Sequence, residues 1–435
     1  MKKMNNLIIL FICVLFILFT AACTQSETTN SKSDSIQEET TPTDSQEDNN
    51  EQSTTLEEQK SENENITLLI SDFETESTPV EQTGIFRGGI TSRGVYETTA
   101  LQNLNGVKWA FETDGTIVSS PAIYNGKAYF GGSDKKFYAV NIENGELVWE
   151  VVTDGKVKSS PAISGNQVFF SDDLGFIYAL DTQTGEQIWK TETNEKLPDI
   201  NSWDFIGSSP LLFEGLLFLG AGDFSFYAMD MKTGDIVWKM KTENNNGIVR
   251  SSPIVKDNTI YFGDTNGYIY AVDYLTAERK WIFKTEGFIQ SSPTIHDGVL
   301  YVGSNDFHLY AINAESGEEI WKFLAENSWF NSSPVIAEDT VYVGTSDGKK
   351  LFAIDAISGE EKWHQKTAGR VFSSPSYVDG ILYFGTATGD LIAMDIESQQ
   401  ELWRFDAEAN IESSPVIWDG VVYVTSYDGK LYALN

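Results

Sequence analysis

Residues that commonly carry metal or redox chemistry are scarce in this chain. Among its 435 residues there are two cysteines, Cys13 and Cys23, and three histidines, His296, His308 and His364. Both cysteines lie near the N-terminus, so a domain formed by the rest of the chain has no disulfide, and no two histidines have the spacing of a metal site. Such a domain needs a large core, and a hydrophobic content of 41% with 11 Trp is sufficient for one.

Positive charge is also in short supply. The chain has 30 Lys and Arg against 64 Asp and Glu, a formal net charge of −34, of which −14 lies in residues 24–85. A phosphate backbone would be repelled by this charge, which argues against nucleic acid as a partner. Close approach to anionic lipid is opposed for the same reason.

Long apolar runs are absent apart from Leu7–Ala22, whose 16 residues are short for a membrane-spanning helix, which needs about 20. Lys2 and Lys3 precede this run and small residues end it. A basic start, a short apolar centre and small residues at the end are typical of a secretory signal peptide. The sequence therefore predicts an extracytoplasmic protein.

The end of the run, Thr20-Ala21-Ala22-Cys23, resembles the bacterial lipobox, with Thr20 where Leu is usual. The resemblance implies that residues 1–22 are a lipoprotein signal peptide and that Cys23 becomes the lipidated first residue, carrying fatty acids such as palmitate. A plain signal peptide and an uncleaved anchor are the alternatives. We expect attachment through Cys23 to a bacterial membrane, the cell membrane rather than an outer membrane.

Residues 23–83 have few apolar side chains and are rich in Ser, Thr, Glu, Gln and Asn. Such a segment cannot bury enough surface to offset the entropy lost on ordering, so we predict a disordered acidic tether. The composition changes at Gly84, and residues 84–435 are predicted to form the folded domain.

The dominant feature of residues 84–435 is the tripeptide motif Ser-Ser-Pro, called the phrase below, which occurs eight times. Successive prolines are 40, 49, 43, 40, 41, 41 and 40 residues apart. A period near 40 residues with several strand signals per unit marks a repeat architecture that buries its apolar faces only when the units stack. The prolines are Pro121, Pro161, Pro210, Pro253, Pro293, Pro334, Pro375 and Pro415.

One repeat, residues 285–321, shows the predicted local structure. Strands are expected over Phe288–Ile295, Val299–Gly303 and Phe307–Asn313, and a fourth begins at Glu319. Asp297-Gly298 between the first two is a two-residue hairpin turn. Asp residues at such turns across the repeats are possible calcium ligands, but their scattered recurrence favours a turn role. Four short strands per repeat predict the blade of a β-propeller.

A second signature, Ala-x-Asp-x-x-x-Gly-x-x-x-Trp, closes each unit and is complete in residues 179–189, while Ala277 and Gln399 replace its Gly in two copies. With it the chain resembles the PQQ-like eight-bladed propeller family, whose tryptophan-docking motif it shares. The Phe86–Tyr96 segment also resembles the start of that family's members. The resemblance implies that each Trp packs between neighbouring blades. The eight tryptophans are Trp109, Trp149, Trp189, Trp238, Trp281, Trp321, Trp363 and Trp403.

The ends of the chain predict how the ring closes. The sequence stops after a third strand at Asn435, and Trp109 belongs to a fourth strand with no blade before it. We predict that residues 105–112 complete the blade that begins at Ser413, which removes an exposed sheet edge.

The family includes PQQ-dependent dehydrogenases, which carry a vicinal Cys pair, a calcium ion held by Glu, Asn and Asp, and a catalytic Asp. The repeat region here has no Cys and lacks their long insertions. We therefore expect no PQQ, no metal ion and no catalytic residue, since a fold alone does not establish an activity. The Ser-Ser pairs recur without a partnered His, which favours a structural role over a nucleophilic one.

The residues that break the repeat are the candidates for binding. The 49-residue step contains an insertion with two aromatic residues, and the sixth repeat has a matching aromatic pair. The loops before each Ser-Ser-Pro are expected to gather around the mouth of the channel, where an exposed aromatic and charged face would bind a partner. Trp203 and Trp329 could instead fold back as local caps. The candidates are Trp203, Phe205, Trp329, Phe330, Arg370, Lys158, Arg250 and Glu412.

These observations favour a non-enzymatic, membrane-anchored propeller, a monomeric ring that binds another envelope protein or a peptide. In anchor and blade count it resembles the lipoproteins of outer-membrane protein assembly, although its long acidic tether suits a cell wall above a single membrane. The alternatives are a small-ligand binder, a PQQ-dependent dehydrogenase-like enzyme, or an assembly factor if the source has an outer membrane.

Overall fold

A computed structural model describes residues 86–88, 94–193 and 207–435. These residues form 32 strands and two short 3-10 segments, Phe86–Gly88 and Glu243–Asn245. The strands make eight antiparallel sheets of four strands each. At seven of the eight steps around the ring, the innermost strand of one sheet packs against the innermost strand of the next. The predicted all-β, eight-bladed propeller is therefore confirmed. The signal peptide, Cys23 and the tether lie outside the described residues.

The four strands of each blade run from the ring axis outward. The innermost strands are β2 (Ala122–Tyr124), β6 (Ala162–Ser164), β10 (Leu211–Phe213), β14 (Ile254–Lys256), β18 (Thr294–His296), β22 (Val335–Ala337), β26 (Ser376–Val378) and β30 (Val416–Trp418). The second strands are β3 (Lys127–Gly131), β7 (Gln167–Ser171), β11 (Leu216–Gly220), β15 (Thr259–Gly263), β19 (Val299–Gly303), β23 (Thr340–Gly344), β27 (Ile381–Gly385) and β31 (Val421–Thr425).

The third strands are β4 (Lys136–Asn141), β8 (Phe176–Asp181), β12 (Ser225–Asp230), β16 (Tyr268–Asp273), β20 (His308–Asn313), β24 (Lys350–Asp355), β28 (Asp390–Asp395) and β32 (Lys430–Leu434). The outermost strands are β5 (Leu147–Val152), β9 (Gln187–Glu192), β13 (Ile236–Lys241), β17 (Arg279–Lys284), β21 (Glu319–Leu324), β25 (Glu361–Lys366), β29 (Gln400–Asp406) and β1 (Val107–Glu112). Blades 1–8 are numbered from β2–β5 onward, so that blade 8 combines β30, β31, β32 and β1.

The innermost strands are shorter than the sequence predicts. In blade 5 the predicted strand Phe288–Ile295 is wrong over its first six residues, because β18 begins only at Thr294. Pro293 has no N–H to give to a ladder, and the backbone N–H of Ser292 donates to the next blade instead of to its own sheet. The residues before Thr294 therefore form a loop, and Phe288 lies on it.

The predicted Asp-Gly and Asn-Gly turns are confirmed as hairpin turns. Asp297 and Gly298 have φ of 48° and 76°, and Asn125 and Gly126 have φ of 44° and 72°. Positive φ at both central positions is the two-residue turn whose twist matches that of the flanking strands. These turns join the first and second strands, and the face that carries them is called the turn face.

The opposite face carries the loops that lead into each Ser-Ser-Pro and the loops between the second and third strands. Hydrogen bonds join the two kinds of loop: the Ser133 N–H donates to the Thr116 carbonyl, and the Asn305 N–H donates to the Phe288 carbonyl, at 2.9 and 3.0 Å. Since the channel opens among these loops, this is called the mouth face.

The core consists of eight apolar clusters, and each is shared between neighbouring blades. Between blades 3 and 4, for example, Phe218 and Phe226 pack with Val255 and Phe262, all of them buried. The rings of Phe226 and Phe262 stack with centroids 4.0 Å apart. Because a blade is apolar on both faces, its middle strands are nearly continuous runs of buried residues.

Each docking Trp lies at the outer edge of such an interface. In blade 2 the Trp189 Nε1–H donates to the Met231 carbonyl of blade 3 at 2.9 Å. The ring also covers Gly234, which has φ of +75° and where a Cβ would approach the indole to 2.6 Å. Glycine is therefore required at this motif position for two reasons: the backbone is left-handed there, and the Trp ring leaves no room for a Cβ. Ala277 adopts φ of 59° in the corresponding turn beneath Trp238.

The predicted closure of the ring is confirmed. Strand β1 pairs antiparallel with β32, with Ala110 opposite Tyr432 and Glu112 opposite Lys430. The first strand of the domain thus completes the blade that contains the last strand, and β32 is paired on both sides, with β1 and with β31.

The residues before β1 close the turn-face end of the channel. Gly94 and Tyr96 bond to the backbone of Tyr377 in the innermost strand β26. The Arg87 guanidinium donates to the Pro334 carbonyl, which directly precedes β22, at 2.7 Å. Further along, the Gly420 N–H of a turn-face hairpin donates to the Thr99 carbonyl. The lead-in segment therefore enters the axis from the turn face. The part of the channel between this segment and the mouth face is called the cup.

Candidate functional site

A ring of eight serines, called the serine ring, surrounds the axis inside the cup. It consists of the second serine of every Ser-Ser-Pro. At seven of the eight steps the backbone N–H of one ring serine donates to the Oγ of the ring serine in the next blade, at 2.8–3.0 Å. These bonds tie neighbouring blades together at the axis. The members are Ser120, Ser160, Ser209, Ser252, Ser292, Ser333, Ser374 and Ser414.

The first serine of most phrases bonds within its own blade, although the Oγ atoms of Ser332 and Ser373 donate to carbonyls of the next blade. The Ser119 Oγ donates to the Gly131 carbonyl at 2.9 Å and accepts from the Gly131 N–H at 3.0 Å. Ser413 makes the same pair of bonds with Thr425. These bonds replace the strand-to-strand hydrogen bonds of the sheet before the innermost strand begins. Both serines of the Ser-Ser-Pro phrase therefore have a structural role.

The cavity above the serine ring is small. Its volume is about 30 Å³, which accommodates roughly two water molecules. Its upper wall is formed by residues that immediately precede the Ser-Ser-Pro phrases: Val118, Lys158, Gln290, Asn331, Phe372 and Glu412.

Glu412 is a buried carboxyl in this wall and not a residue of an exposed face. Its side chain is 7% exposed, and it accepts a hydrogen bond from the Tyr427 hydroxyl at 2.6 Å. Burial raises the pKa of Glu412 above its usual value, and the bond from Tyr427 and the charge of Arg370 oppose that rise. Glu412 was predicted to lie on an exposed binding face, but its side chain lies inside the cup instead.

Three side chains at equivalent positions of blades 5, 6 and 7 form an arc on the mouth face. Phe288, Trp329 and Arg370 each lie two residues before the residue that precedes Ser-Ser-Pro. Each backbone carbonyl accepts the same bond, from Asn305, Ser346 and Ala387 respectively. The shared bond fixes their backbones in one geometry, so the three side chains follow one another around the mouth. We call them the mouth arc.

The two aromatic residues of the mouth arc are exposed. Trp329 is 42% exposed and Phe288 is 54% exposed. Trp329 therefore does not fold back fully as a cap, the alternative that the sequence left open. Large aromatic side chains held partly in solvent by a rigid loop are the residues that most often anchor protein partners. Phe288 was missed from the sequence because it was assigned to a strand.

Phe330 was predicted on the binding face, and this prediction is wrong. Its side chain is 0% exposed and packs in the cluster between blades 5 and 6, beside Phe323 and Phe352. Successive residues of an extended chain point to opposite sides, so that Trp329 faces solvent while Phe330 fills the core beneath it. The signal was available in the sequence, since the residue at this position is apolar in every repeat, as in Ile117, Ile289 and Val371.

The basic candidates lie around the same mouth. Arg370 is half-buried and forms an ion pair with Asp347 at 2.7 Å. Its guanidinium lies 6.0 Å from the ring centroid of Phe372, within range of a cation–π contact. Lys158 lines the cup, and Arg250 is half-buried at the mouth position of blade 4. The remaining candidates, Trp203 and Phe205, lie outside the described residues.

Groups suited to holding a metal ion do not converge in the described part of the chain. No cluster of three or more His, Cys, Asp or Glu side chains arranged to hold a metal ion occurs there. Each histidine is paired locally with a carboxylate, for example His364 with Glu361 at 2.7 Å. The same residues contain no helix long and apolar enough to cross a membrane.

Two family models match the chain. One is described as the β-propeller of the β-alanine-activating enzyme and matches residues 204–435, which is more than half of the chain. The other is described as outer membrane protein assembly factor BamB and matches residues 90–195. No curated protein sequence matches the chain.

Solved structures with the same fold include BamB from Moraxella catarrhalis, at 17% identity and a TM-score of 0.64, covering 76% of this chain and 99% of the other. A europium-containing methanol dehydrogenase has 14% identity and a TM-score of 0.70, with coverage of 83% and 99%. The computationally designed protein Ika8 has 16% identity and a TM-score of 0.63, with coverage of 74% and 96%. These likenesses establish a shared fold. Together with the eight blades and their docking tryptophans, the two family matches show that the chain belongs to the PQQ-like β-propeller family.

Proposed function

We propose that this protein is a non-enzymatic binding scaffold that holds a protein or peptide of the cell envelope on its mouth face. The observation that carries the proposal is the mouth arc, in which two exposed aromatic side chains and an arginine take equivalent positions on three successive blades. A partner that covers the arc would bury both rings and reach Arg370, which are the residue types that dominate interface energetics.

The rigidity of the site supports the same function. The loops of the arc are bonded to their neighbouring loops, and Phe330 fastens the Trp329 loop to the core. A side chain that is already held in place loses little conformational freedom when a partner binds. The match to the assembly factor model over residues 90–195 agrees with a binding role.

A crosslinking experiment tests the mouth face directly. A photoreactive phenylalanine analogue is placed at Trp329 in the full-length protein in its native cells, and at Trp418 as the control. Trp418 is 38% exposed at the end of β30, beside the turn face. We expect a crosslinked partner at position 329 that is absent at position 418. Equal crosslinking at both positions, or none at 329, would contradict the proposal.

The captured partner then permits a quantitative comparison. Phe288→Ala combined with Trp329→Ala should weaken its binding by more than about thirtyfold, since a single hot-spot aromatic contributes about 2 kcal/mol or more and each 1.4 kcal/mol is about tenfold in affinity. Trp418→Ala should leave the affinity unchanged, and the melting temperature of the double variant should stay close to that of the wild type. Undiminished binding by the double variant would refute the role of the arc.

The membrane anchor is a separate part of the proposal. If Cys23 carries the lipid, Cys23→Ala should abolish metabolic labelling with palmitate, whereas Cys13→Ala should leave it intact. Persistent labelling of the Cys23 variant would exclude lipidation at that residue. An enzymatic alternative is tested by visible absorption of the purified protein and by alcohol oxidation after addition of PQQ and calcium. Activity in that assay would overturn the non-enzymatic assignment.

A further inference from the structure

Five Asn-Gly pairs occur in the chain, and the fold holds four of them in a way that it does not hold the fifth. In such a pair the backbone nitrogen of Gly can attack the side-chain amide of Asn, because Gly has no side chain to hinder the approach. In a folded protein the attack also requires that the peptide group between the two residues can rotate. The pairs are Asn105-Gly106, Asn125-Gly126, Asn144-Gly145, Asn246-Gly247 and Asn266-Gly267.

In four of the pairs a hydrogen bond holds the attacking nitrogen. The N–H of the glycine donates to an acceptor elsewhere in the fold, at 2.8–3.2 Å. Rotation of the peptide group towards the Asn side chain would break this bond, so the fold protects these four pairs. The acceptors are the carbonyls of Asn435 for Gly106, Asn141 for Gly145 and Asp264 for Gly267, and Thr242 Oγ1 for Gly247.

The pair Asn125-Gly126 is different. Among the described residues the Gly126 N–H, the Asn125 carbonyl and the Asn125 side chain form no hydrogen bond. Both residues are exposed, and a Cβ on Gly126 would meet no other atom within 4 Å. Pairing of Tyr124 with Lys127 fixes the ends of the turn, while the peptide group between its two central residues is free to rotate and open to water.

We propose that Asn125 is the site at which this protein deamidates spontaneously. The Gly126 nitrogen bonds to Cγ of Asn125, the bond from Cγ to the side-chain nitrogen breaks, and ammonia leaves with the proton of the Gly126 N–H. Water then opens the cyclic imide. Opening at Cγ leaves aspartate in an ordinary chain, and opening at the backbone carbonyl leaves isoaspartate. The reaction is independent of partner binding on the mouth arc and would stand if that proposal failed.

The aspartate product fits the turn. Aspartate already occupies the equivalent position in blades 5, 7 and 8, where Asp297, Asp379 and Asp419 have φ of 47–48°, against 44° for Asn125. This product therefore keeps the turn and adds one negative charge to the turn face. Isoaspartate carries the main chain through the side-chain carbon, and the longer turn no longer matches the twist of its strands. Since β2 has three residues, we expect isoaspartate to loosen the inner hairpin of blade 1.

Peptide mapping by mass spectrometry tests the choice of site. The full-length protein is kept at mildly alkaline pH, in one sample folded and in another unfolded in urea. In the folded sample the peptide that contains Asn125 should gain the mass of the amide-to-carboxyl change before the other four pairs do. In urea all five pairs should react at similar rates, because each Asn is followed by Gly. Folded protein in which Asn125 stays unmodified, or in which another pair reacts first, would overturn the proposal.

Two matched variants test the physical reason. Asp297→Asn and Asp419→Asn each create an Asn-Gly pair in the same kind of hairpin turn. The Gly298 N–H has no hydrogen-bond partner among the described residues, whereas the Gly420 N–H donates to the Thr99 carbonyl at 3.1 Å. The first variant should deamidate at its new site about as fast as Asn125 does, and the second much more slowly. Equal rates at the two new sites would show that the free peptide group does not select the site.

Melting temperatures test the two products. Freshly purified Asn125→Asp should melt at the temperature of the wild type, because its turn has the sequence of the turns in blades 5, 7 and 8. Aged wild-type protein that contains isoaspartate at this position should melt at a lower temperature than fresh protein. A clearly lower melting temperature of Asn125→Asp would contradict the fit of the aspartate product.

Discussion

The docking tryptophans offer the sharpest test of how the ring is held together, and Trp238 is the best placed of them. Its ring is 5% exposed, and it lies about 6.0 Å from the rings of Phe218 and Phe226. Its Nε1–H donates to the Tyr274 carbonyl of blade 4 at 3.0 Å. The side chain thus contributes both packing and a bond across one blade interface.

Two substitutions separate these contributions. Trp238→Ala removes the ring and leaves a cavity, which costs about 3–5 kcal/mol of unfolding free energy for a buried Trp. Trp238→Phe keeps most of the apolar volume and loses the bond to Tyr274, which costs about 1–2 kcal/mol. The expected order of stability is wild type, then Phe, then Ala.

The assay is reversible urea unfolding followed by circular dichroism. Trp418→Ala is the control, because this Trp is partly exposed at the end of β30, and its loss should cost about 0.5 kcal/mol or less. A Trp238→Ala cost below about 1 kcal/mol would refute the docking role. A Phe variant as unstable as the Ala variant would show that the hydrogen bond, and not the packing, dominates.

Three further predictions concern the rest of the ring. Deleting residues 84–112 should abolish cooperative folding, because it removes β1 and exposes the edge of β32; a soluble product with a sharp thermal transition would contradict this. Ala277→Gly should raise the free energy of unfolding in urea by about 0.5–1 kcal/mol. The reason is that relief of the left-handed backbone strain at φ of 59° outweighs the added entropy of the unfolded chain. A destabilised variant would show instead that the Ala277 methyl group packs favourably on Trp238. Glu412→Gln should be more stable than the wild type at pH 7, because burial raises the pKa of Glu412 in the folded state. The stability contributed by the protonated carboxyl is present below the pKa of the unfolded state, about 4.3, and is lost as pH rises through the pKa of the folded state. That difference should vanish near pH 4, and an advantage that persists in acid would point to another cause.

Much of the fold follows from residues that repeat. The Ser-Ser-Pro spacing, the Asp-Gly turns and the eight tryptophans predict eight blades, and the unmatched strands at Trp109 and Asn435 predict closure, because strand pairing is dictated locally by turns and alternation. The boundaries of the innermost strands were harder to predict. Phe288 follows the strand pattern, yet it lies in a loop because Ser292 bonds to another blade.

The candidate site was predicted only in part. The sequence identifies the loops that surround the mouth, and it correctly singles out Trp329, which the structure leaves exposed. It misplaces Phe330 and misses Phe288, because adjacent aromatic residues look alike until it is known which one faces the core. Comparison of the eight repeats at that position would have assigned Phe330 to the interior.

By itself the sequence determined the number of blades, the manner of closure and the acidic, cysteine-free character of the domain, because these follow from local patterns repeated along the chain. Only the tertiary structure decided what lies at the axis. Arg87 is separated from Pro334 by 247 residues and from Thr294 by 207, and the serine ring exists only when eight distant phrases meet. Contacts between residues so far apart depend on how the ring curves and closes, and no local pattern in the chain specifies them.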